Sequence, residues 1–175
     1  MSEAVKINYL NETDAEALSH LMTTNADIFK RFFTNTLAQN TSVGSSQDYI
    51  AKKTEEIKSN VEFTFAIRNR SNTVIGLIIL KDLKFDSGEG ELAYCLDKNE
   101  QGRGIVTKGV NFVSDFAFNE LKFKKLKIFT HKSNSASIKV AENTGFRWVQ
   151  TLSKAYQPPD EAPLDMEIYE LDYER

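Results

Sequence analysis

Residues 99–108, with the sequence N-E-Q-G-R-G-I-V-T-K, constrain the fold of this chain more than any other segment. They lie between an apolar run typical of a strand (residues 92–96) and a run with helical spacing (residues 105–118). A strand, a glycine turn and a helix start leave unpaired backbone N–H groups that converge near the positive end of the helix dipole. Gly102 and Gly104 have no Cβ, so that the backbone can curl and an anion can approach it closely. The segment therefore predicts an anion site of the kind that usually binds phosphate.

The spacing of the glycines excludes two better-known phosphate loops. A dinucleotide-binding loop has the pattern G-x-G-x-x-G near the first strand, whereas here the third glycine position is Thr107 and the loop lies past the middle of the chain. The pattern G-x-x-x-x-G-K-[ST] of nucleoside-triphosphate loops is absent from the sequence. An ordinary turn after a strand stays open as the alternative, because short glycine patterns recur by chance.

Length and composition favour one globular domain over residues 1–175. Hydrophobic residues make up 41% of the chain and charged residues 27%, as in most soluble proteins, and the length allows a substantial core. The net charge of −3, with acids and bases mixed along the chain, gives no reason to expect a nucleic acid as partner.

Cysteine and histidine usage predicts neither a disulfide nor a metal site. Cys95 is the only cysteine, and His20 and His131 lie far apart with no ligand-like spacing around them. No apolar stretch approaches the length of a membrane span, and the first ten residues lack the pattern of a secretion signal. A cytoplasmic protein without a membrane partner is expected.

Hydrophobic periodicity and turn residues predict an α/β protein of the α+β type with an open mixed sheet. Thr13, with Glu16 three residues later, predicts a capping box at the start of the first helix. Further helices are expected over residues 46–60, 105–118 and 135–143. Seven strands are expected, over residues 5–9, 62–68, 74–80, 90–96, 125–130, 146–152 and 166–171.

A second informative segment is residues 134–146, N-S-A-S-I-K-V-A-E-N-T-G-F. Asn134 and Ser137 are three residues apart, so that at the start of a helix both side chains can face the same way. Asn and Ser are also favoured N-cap residues, and either one could serve only to begin the helix. The segment alone leaves both interpretations open.

Taken in order, the strand, the Q-G-R-G loop with its helix, and the N-x-x-S helix followed by a G-F strand resemble the GNAT acetyltransferases. Within this superfamily the chain is similar to the Rim-type (RimJ/RimL-like) ribosomal-protein N-terminal acetyltransferases. The likeness extends over residues 6–171 and includes E-L-A-Y-C-L (residues 91–96) and D-M-E-I-Y-E-L (residues 165–171). It implies a GNAT fold, with a mixed, mostly antiparallel sheet of about seven strands flanked by about four helices. One departure is Val106, where the family more often has glycine or alanine.

The resemblance implies acetyl-CoA as co-substrate and no metal. In the family the pyrophosphate lies on the amides of the glycine loop, and the matching residues here are Gln101, Gly102, Arg103, Gly104, Ile105, Val106 and Thr107. The pantetheine arm hydrogen-bonds the backbone of the preceding strand, near Cys95 and Leu96 in this chain, like an added edge strand. Asn134 would contact the arm from the other side. Taken alone, Cys95 is typical of a small buried apolar residue.

The resemblance further implies direct transfer, in which a neutral amine attacks the thioester within a ternary complex. Glu91 resembles the carboxylate that often serves as base, although a solvated carboxylate at a strand edge is equally common. Ser137 matches a residue that contacts the cofactor and can protonate the leaving thiolate. Tyr94 is a second candidate for the acid, but strand alternation favours a place in the core or in a pocket wall.

The acceptor is expected to be a primary amine, and a protein N-terminus, a polyamine, an amino sugar and other small amines all stay open. Phe29, Phe33 and Tyr94 are candidates for its pocket, although the helical spacing of the two phenylalanines also fits a packed helix face. A homodimer stays open as well. Because a fold match does not establish function, the alternative to an enzyme is a catalytically silent GNAT-fold protein that binds CoA or acts as a regulator.

Overall fold

The computed structural model describes residues 4–174. The predictions about the domain ends and the secretion signal also concern residues 1–3 and 175, which lie outside the described residues. The strands are β1 (Lys6–Tyr9), β2 (Phe63–Arg68), β3 (Val74–Lys84), β4 (Glu89–Leu96), β5 (Lys125–Thr130), β6 (Arg147–Tyr156) and β7 (Leu164–Asp172). The α-helices are α1 (Ala15–Thr24), α2 (Ala26–Phe29), α3 (Thr34–Ala38), α4 (Val43–Lys58), α5 (Ile105–Asn119) and α6 (Ser135–Asn143).

The strands form a sheet in the order β1-β2-β3-β4-β5-β7-β6. The β4–β5 pair is parallel, whereas β1–β2, β5–β7 and β6–β7 are antiparallel. The predicted fold class, a mixed and mostly antiparallel sheet of seven strands with flanking helices, is confirmed. The helices number six among residues 4–174 because the aromatic-rich segment after α1 forms two short helices, α2 and α3.

The capping box before the first helix begins at Asn11, two residues before the predicted cap. Asn11 is extended, and its side chain accepts a hydrogen bond from the Thr13 N–H at 3.0 Å. The Asp14 carboxylate accepts the Asn11 N–H at 2.8 Å and so completes the box. This box starts a short 3-10 turn, Glu12–Asp14, that leads into α1. The prediction that Thr13 and Glu16 form the box is therefore wrong.

The chain divides into two compact units, and the prediction of a single domain stays a prediction. Of the described residues, the first unit comprises 4–79 together with Tyr94–Ile105. In it α1 packs against α4 over an apolar core. Core members include Leu18, Leu21, Met22, Phe29, Tyr49, Ile50, Leu77 and Cys95. Each large side chain buried in this way stabilises the fold by roughly 1.5–3 kcal/mol.

The second unit comprises Leu80–Ala93 and residues 106–174. The apolar face of α5 buries Val110, Val113 and Ala117, and Phe123 after the helix is 1% exposed. Strand β6 is the last in the sheet order, and most of its residues are exposed. Across residues 4–174, the helices are too short or too polar to cross a bilayer.

Candidate functional site

Two glycines of the glycine loop adopt left-handed backbone conformations. Gly102 has φ +78° and Gly104 has φ +68°, both in the left-handed region that favours glycine. A Cβ built at either position meets no atom within 4 Å. The backbone conformation, rather than crowding by neighbouring protein atoms, therefore accounts for glycine at these two positions. The loop is exposed, so the space above it is accessible to a ligand.

Helix α5 begins directly after this loop, at Ile105, and runs for 15 residues. Ile105 is 2% exposed and anchors the start of the helix. No acidic residue lies in the first turn, so that no carboxylate of that turn competes for the positive end of the helix dipole. A left-handed glycine turn that leads into a helix N-terminus is suited to binding a phosphate group.

The segment before the loop is held by backbone and side-chain hydrogen bonds. The Asp97 N–H donates to the Ile75 carbonyl at 2.8 Å, and the Asp97 carboxylate accepts the Asn99 N–H at 2.9 Å. This cap starts a 3-10 turn, Lys98–Glu100. The Arg103 guanidinium, half exposed, donates to the Glu100 carboxylate at 2.9 Å. Arg103 is thus paired within the loop itself.

The ladder between β4 and β5 covers only the first part of β4. Glu89–Glu91 pair with Lys125–Lys127, and the register extends no further. The backbone of β4 around Cys95 and Leu96 lies beyond this ladder. An extended ligand with amide groups can pair with strand backbone of this kind by β-augmentation.

Gly76 on β3 lets β3 approach the same part of β4. A Cβ at this position would lie 2.5 Å from the Cys95 carbonyl oxygen. No side chain can be accommodated at that distance without a shift of backbone. Sequence analysis did not single out Gly76, because the requirement arises from a strand almost twenty residues away.

Cys95 is a core residue. Its side chain is 7% exposed and belongs to the apolar core of the first unit. Burial raises the pKa of the Cys95 thiol to about 12, so that the thiol stays protonated at neutral pH. A protonated buried thiol is a poor nucleophile. The side chain therefore packs, and only the backbone at Cys95 is suited to a ligand.

Glu91 lies at the end of the β4–β5 ladder with its side chain 19% exposed. The Lys81 ammonium on β3 is 3.4 Å from its carboxylate. Burial raises the pKa of the Glu91 carboxyl to about 7; the Lys81 charge lowers it in part, and a hydrogen bond and the charge of Asp82 raise it further. A carboxyl that titrates near neutral pH can accept and release a proton under ordinary conditions.

Asn134 caps helix α6. Its side-chain oxygen accepts the Ser137 N–H at 3.2 Å. The sequence left open whether this residue is a cap or a ligand contact. In the structure its side-chain oxygen serves as the cap. The amide nitrogen takes no part in that bond. Asn134 and Ser137 are both partly buried on the first turn.

The aromatic candidates are packed to different degrees. Phe29 is 5% exposed and belongs to the core of the first unit, while Phe33 is partly buried against that core. Their ring centroids are 6.1 Å apart. Tyr94 is partly buried on β4. The packed-face interpretation therefore fits Phe29, and Phe33 and Tyr94 are the more accessible of the three.

No group of three or more His, Cys, Asp or Glu side chains within residues 4–174 is arranged to hold a metal ion. Sequence analysis missed Lys81, which modifies the pKa of Glu91, and Asn25, which contacts the segment before the glycine loop. The Asn25 contact spans 73 residues of sequence, and the Lys81 contact joins two consecutive strands, β3 and β4. The side chains give no periodic signal from which they could have been found.

Comparisons with known proteins agree with this geometry. A family model described as an acetyltransferase (GNAT) domain matches residues 5–147. YjcK of Bacillus subtilis strain 168, a probable N-acetyltransferase, is 29% identical over 146 residues, which cover 82% of this chain and 81% of that protein.

Solved structures share the fold at low sequence identity. The ribosomal-protein-S5-alanine acetyltransferase of Vibrio fischeri has a TM-score of 0.87 at 19% identity, over 97% of this chain and 93% of that chain. The microcin C7 self-immunity acetyltransferase MccE, in complex with acetyl-CoA and AMP, has a TM-score of 0.86 at 20% identity, over 99% and 94%. The resemblance inferred from the sequence motifs is confirmed: this chain belongs to the GNAT acetyltransferase family.

Proposed function

We propose that this protein transfers an acetyl group from acetyl-CoA to a primary amine. The observation that carries the proposal is the glycine loop at the start of α5, where Gly102 and Gly104 adopt left-handed conformations beneath open space. In MccE, a structure of the same fold, acetyl-CoA is present. The pyrophosphate of acetyl-CoA supplies two negative groups for such a nest.

The proposed cofactor site uses the loop for the pyrophosphate and β4 for the pantetheine arm. Backbone amides from Gly102 to Thr107 face the phosphates, and Gln101, Arg103, Ile105 and Val106 shape the turn. The arm extends along the backbone at Cys95 and Leu96, beyond the end of the β4–β5 ladder. Asn134 contributes its amide nitrogen, since its oxygen caps α6. Acetyl-CoA supplies an activated thioester, and no metal is needed for the transfer.

Glu91 is proposed as the base. The acceptor amine must lose a proton to attack the thioester, and a carboxyl with a pKa of about 7 can take that proton near neutral pH. A bridging water could carry the proton to it. The Lys81 ammonium, 3.4 Å away, stabilises the ionised form and orients the carboxylate.

Ser137 is proposed as the acid. Expulsion of CoA leaves a thiolate that must be protonated, and the Ser137 hydroxyl on the first turn of α6 is the motif residue suited to donate. A backbone N–H of β4 near Leu96 is proposed to stabilise the oxyanion that forms when the amine attacks. Positioning by these groups would convert a bimolecular reaction into one within a single complex.

The acceptor is proposed to be a protein N-terminus or a small amine, with Phe33 and Tyr94 as lining residues and Phe29 supporting them from the core. The Vibrio fischeri structure of the same fold is an S5-alanine acetyltransferase, which favours testing peptides first. The net charge of −3 suits a cationic acceptor. A cytoplasmic location and a homodimer stay predictions.

Thiol release tests the proposal. Acetyl-CoA is incubated with the protein and with alanine- and serine-starting peptides, polyamines or amino sugars, and free CoA thiol is measured with a chromogenic disulfide. Amine-dependent release with a matching acetylated product in the mass spectrum supports the enzyme. If acetyl-CoA raises the melting temperature but no amine in the panel releases thiol, the CoA-binding alternative is favoured. Absence of both responses would contradict the proposal.

A further inference from the structure

Asn25 connects the end of α1 to the segment that precedes the glycine loop. Its side chain is buried, with 1% of the residue exposed. The amide nitrogen donates to the Leu21 carbonyl at 2.9 Å, in the last turn of α1. The amide oxygen accepts the Lys98 N–H at 2.9 Å, across 73 residues of sequence. One side chain therefore satisfies a helix-end carbonyl and a backbone donor of a distant turn.

Lys98 is the first residue of the 3-10 turn that leads to the loop. The first N–H groups of a helical turn have no partner inside the turn, and Asn25 supplies one. The Lys98 ammonium is also 3.4 Å from the Asp27 carboxylate, an exposed pair that contributes little. The partly buried bond between the Lys98 N–H and Asn25 is therefore the stronger of these two links between the segments.

We propose that Asn25 is a positioning residue for the acetyl-CoA loop. Its hydrogen bond holds Lys98, and with it the 3-10 turn, in place. Only the few residues between this turn and Ile105 are then free to move when the loop binds a phosphate. Fewer mobile residues lower the entropy lost on binding, and the affinity rises accordingly. The inference rests on the proposed function, because it assumes that the loop binds acetyl-CoA.

Asn40 provides a matched control for Asn25. It is 0% exposed, its amide nitrogen donates to the Thr36 carbonyl at 2.8 Å, and its amide oxygen accepts the Ser46 hydroxyl at 2.8 Å. Asn40 thus caps α3 and ties it to α4, as Asn25 caps α1. Both are buried asparagines of the first unit that bond to a helix carbonyl through the amide nitrogen and to a second segment through the amide oxygen, but only Asn25 bonds to the segment before the loop.

The bond can also be removed from its other end. Lys98→Pro deletes the N–H, and its Cδ, which replaces the amide hydrogen, displaces the Asn25 oxygen that accepts the bond at 2.9 Å. Proline suits the first position of a helical turn. Asp97 already has φ −51° and ψ 133°, which is compatible with a following proline. Lys98→Ala keeps the N–H and removes only the ammonium. Comparison of Lys98→Pro with Lys98→Ala therefore separates the effect of the backbone bond from that of the exposed ion pair, even if Asn25→Ala fails to fold.

The experiment measures acetyl-CoA dissociation constants by calorimetry, together with melting temperatures, for the wild type and for Asn25→Ala, Asn40→Ala, Lys98→Pro and Lys98→Ala. Asn25→Ala and Lys98→Pro are expected to weaken binding by about three- to tenfold, the worth of one hydrogen bond. Asn40→Ala and Lys98→Ala should bind as the wild type does, although Asn40→Ala should melt earlier. The double variant Asn25→Ala/Lys98→Pro should bind no more weakly than the weaker single variant.

Three results would overturn the inference. Unchanged binding in Lys98→Pro and in a folded Asn25→Ala would show that the bond does not position the loop. Equal losses in Asn40→Ala would assign the effect to general destabilisation, and additive losses in the double variant would show that the two changes act separately. If the wild type itself fails to bind acetyl-CoA, the proposed function fails, and the inference fails with it.

Discussion

Arg68 and Asp14 form a bidentate ion pair inside the first unit. The two terminal guanidinium nitrogens each lie 2.6 Å from a different oxygen of the carboxylate, and the side chains are 1% and 7% exposed. The Arg68 Nε also donates to the Asn8 side chain at 2.6 Å, and an Nη to the Tyr9 carbonyl at 3.2 Å. The pair therefore joins β2 to β1 and to the turn before α1.

Removal of one partner of this pair should destabilise the protein strongly. Arg68→Met leaves the Asp14 carboxylate buried without its cation, and a loss of about 3–5 kcal/mol in the free energy of unfolding is expected. The double variant Arg68→Met/Asp14→Leu removes both charges of this pair and should recover part of that loss. Urea unfolding of the three proteins checks this. A double variant less stable than Arg68→Met would contradict the account.

Gly76→Ala should disturb the backbone of β4. The added methyl group would lie 2.5 Å from the Cys95 carbonyl oxygen, so β3 and β4 must separate locally. We expect a loss of stability of about 1–3 kcal/mol, typical of overpacking, and weaker binding of acetyl-CoA. Gly44→Ala is the control, because a Cβ there meets no atom within 4 Å. Unchanged acetyl-CoA affinity in Gly76→Ala would argue against the role of this backbone.

With Glu91 as the base, kcat/KM should rise with pH. With its pKa at about 7, the carboxyl is mostly protonated below pH 7 and ionised above it. The ratio of kcat/KM between wild type and Glu91→Gln should therefore grow from low to high pH, to roughly 100- to 10,000-fold. Lys81→Met removes the cation that lowers this pKa, so that the rise in kcat/KM should occur at higher pH. A ratio that stays constant across the pH range would remove Glu91 from the role of base.

The same titration affects stability. The pKa of Glu91 is higher in the folded protein than the 4.5 of an exposed glutamate, so between these values the folded state holds the proton that the unfolded state has released. Stability should therefore fall as the pH rises from about 4.5 through about 7 and then level off. The stability of Glu91→Gln should lack this pH dependence. Above pH 7 its free energy of unfolding should exceed that of the wild type by on the order of 1–3 kcal/mol. Denaturant unfolding at pH 5 and pH 8 measures the difference.

Ser137→Ala should lower kcat with little change in the KM of the acceptor, because protonation of the thiolate belongs to the transition state. Ser135→Ala, an exposed serine on the same turn of α6, is the matched control. Single-turnover rates with a confirmed acceptor separate chemistry from product release. An effect below threefold would leave Ser137 as a helix residue without a catalytic role.

The predictions that succeeded rest on local chemistry. Gly102 and Gly104 need positive φ angles, and a strand, turn and helix follow from the periodicity on either side. The predicted capping box at Thr13 failed because Asp14 accepts the Asn11 N–H and also pairs with Arg68, a residue that no local pattern links to it. Tertiary contacts thus decided which of two neighbouring caps formed.

Features of the candidate site that depend on tertiary contacts could not be predicted. The raised pKa of Glu91 results from burial, and Lys81 and Asp82 reach it from the neighbouring strand. The Asn25–Lys98 bond joins segments 73 residues apart. The aromatic spacing of Phe29 and Phe33 was compatible with a pocket and with a core, and only the burial of Phe29 distinguishes the two.

Acetyl-CoA binding at the glycine loop is the central claim, and one thermal-shift comparison tests it. Gly104→Glu is compared with Gly145→Glu, because both glycines are exposed and have positive φ, +68° and +87°, so that both variants add one negative charge at a left-handed backbone position. Acetyl-CoA should raise the melting temperature of the wild type and of Gly145→Glu, since it binds the folded state, but not that of Gly104→Glu. An equal shift in Gly104→Glu, or none in the wild type, would contradict the account.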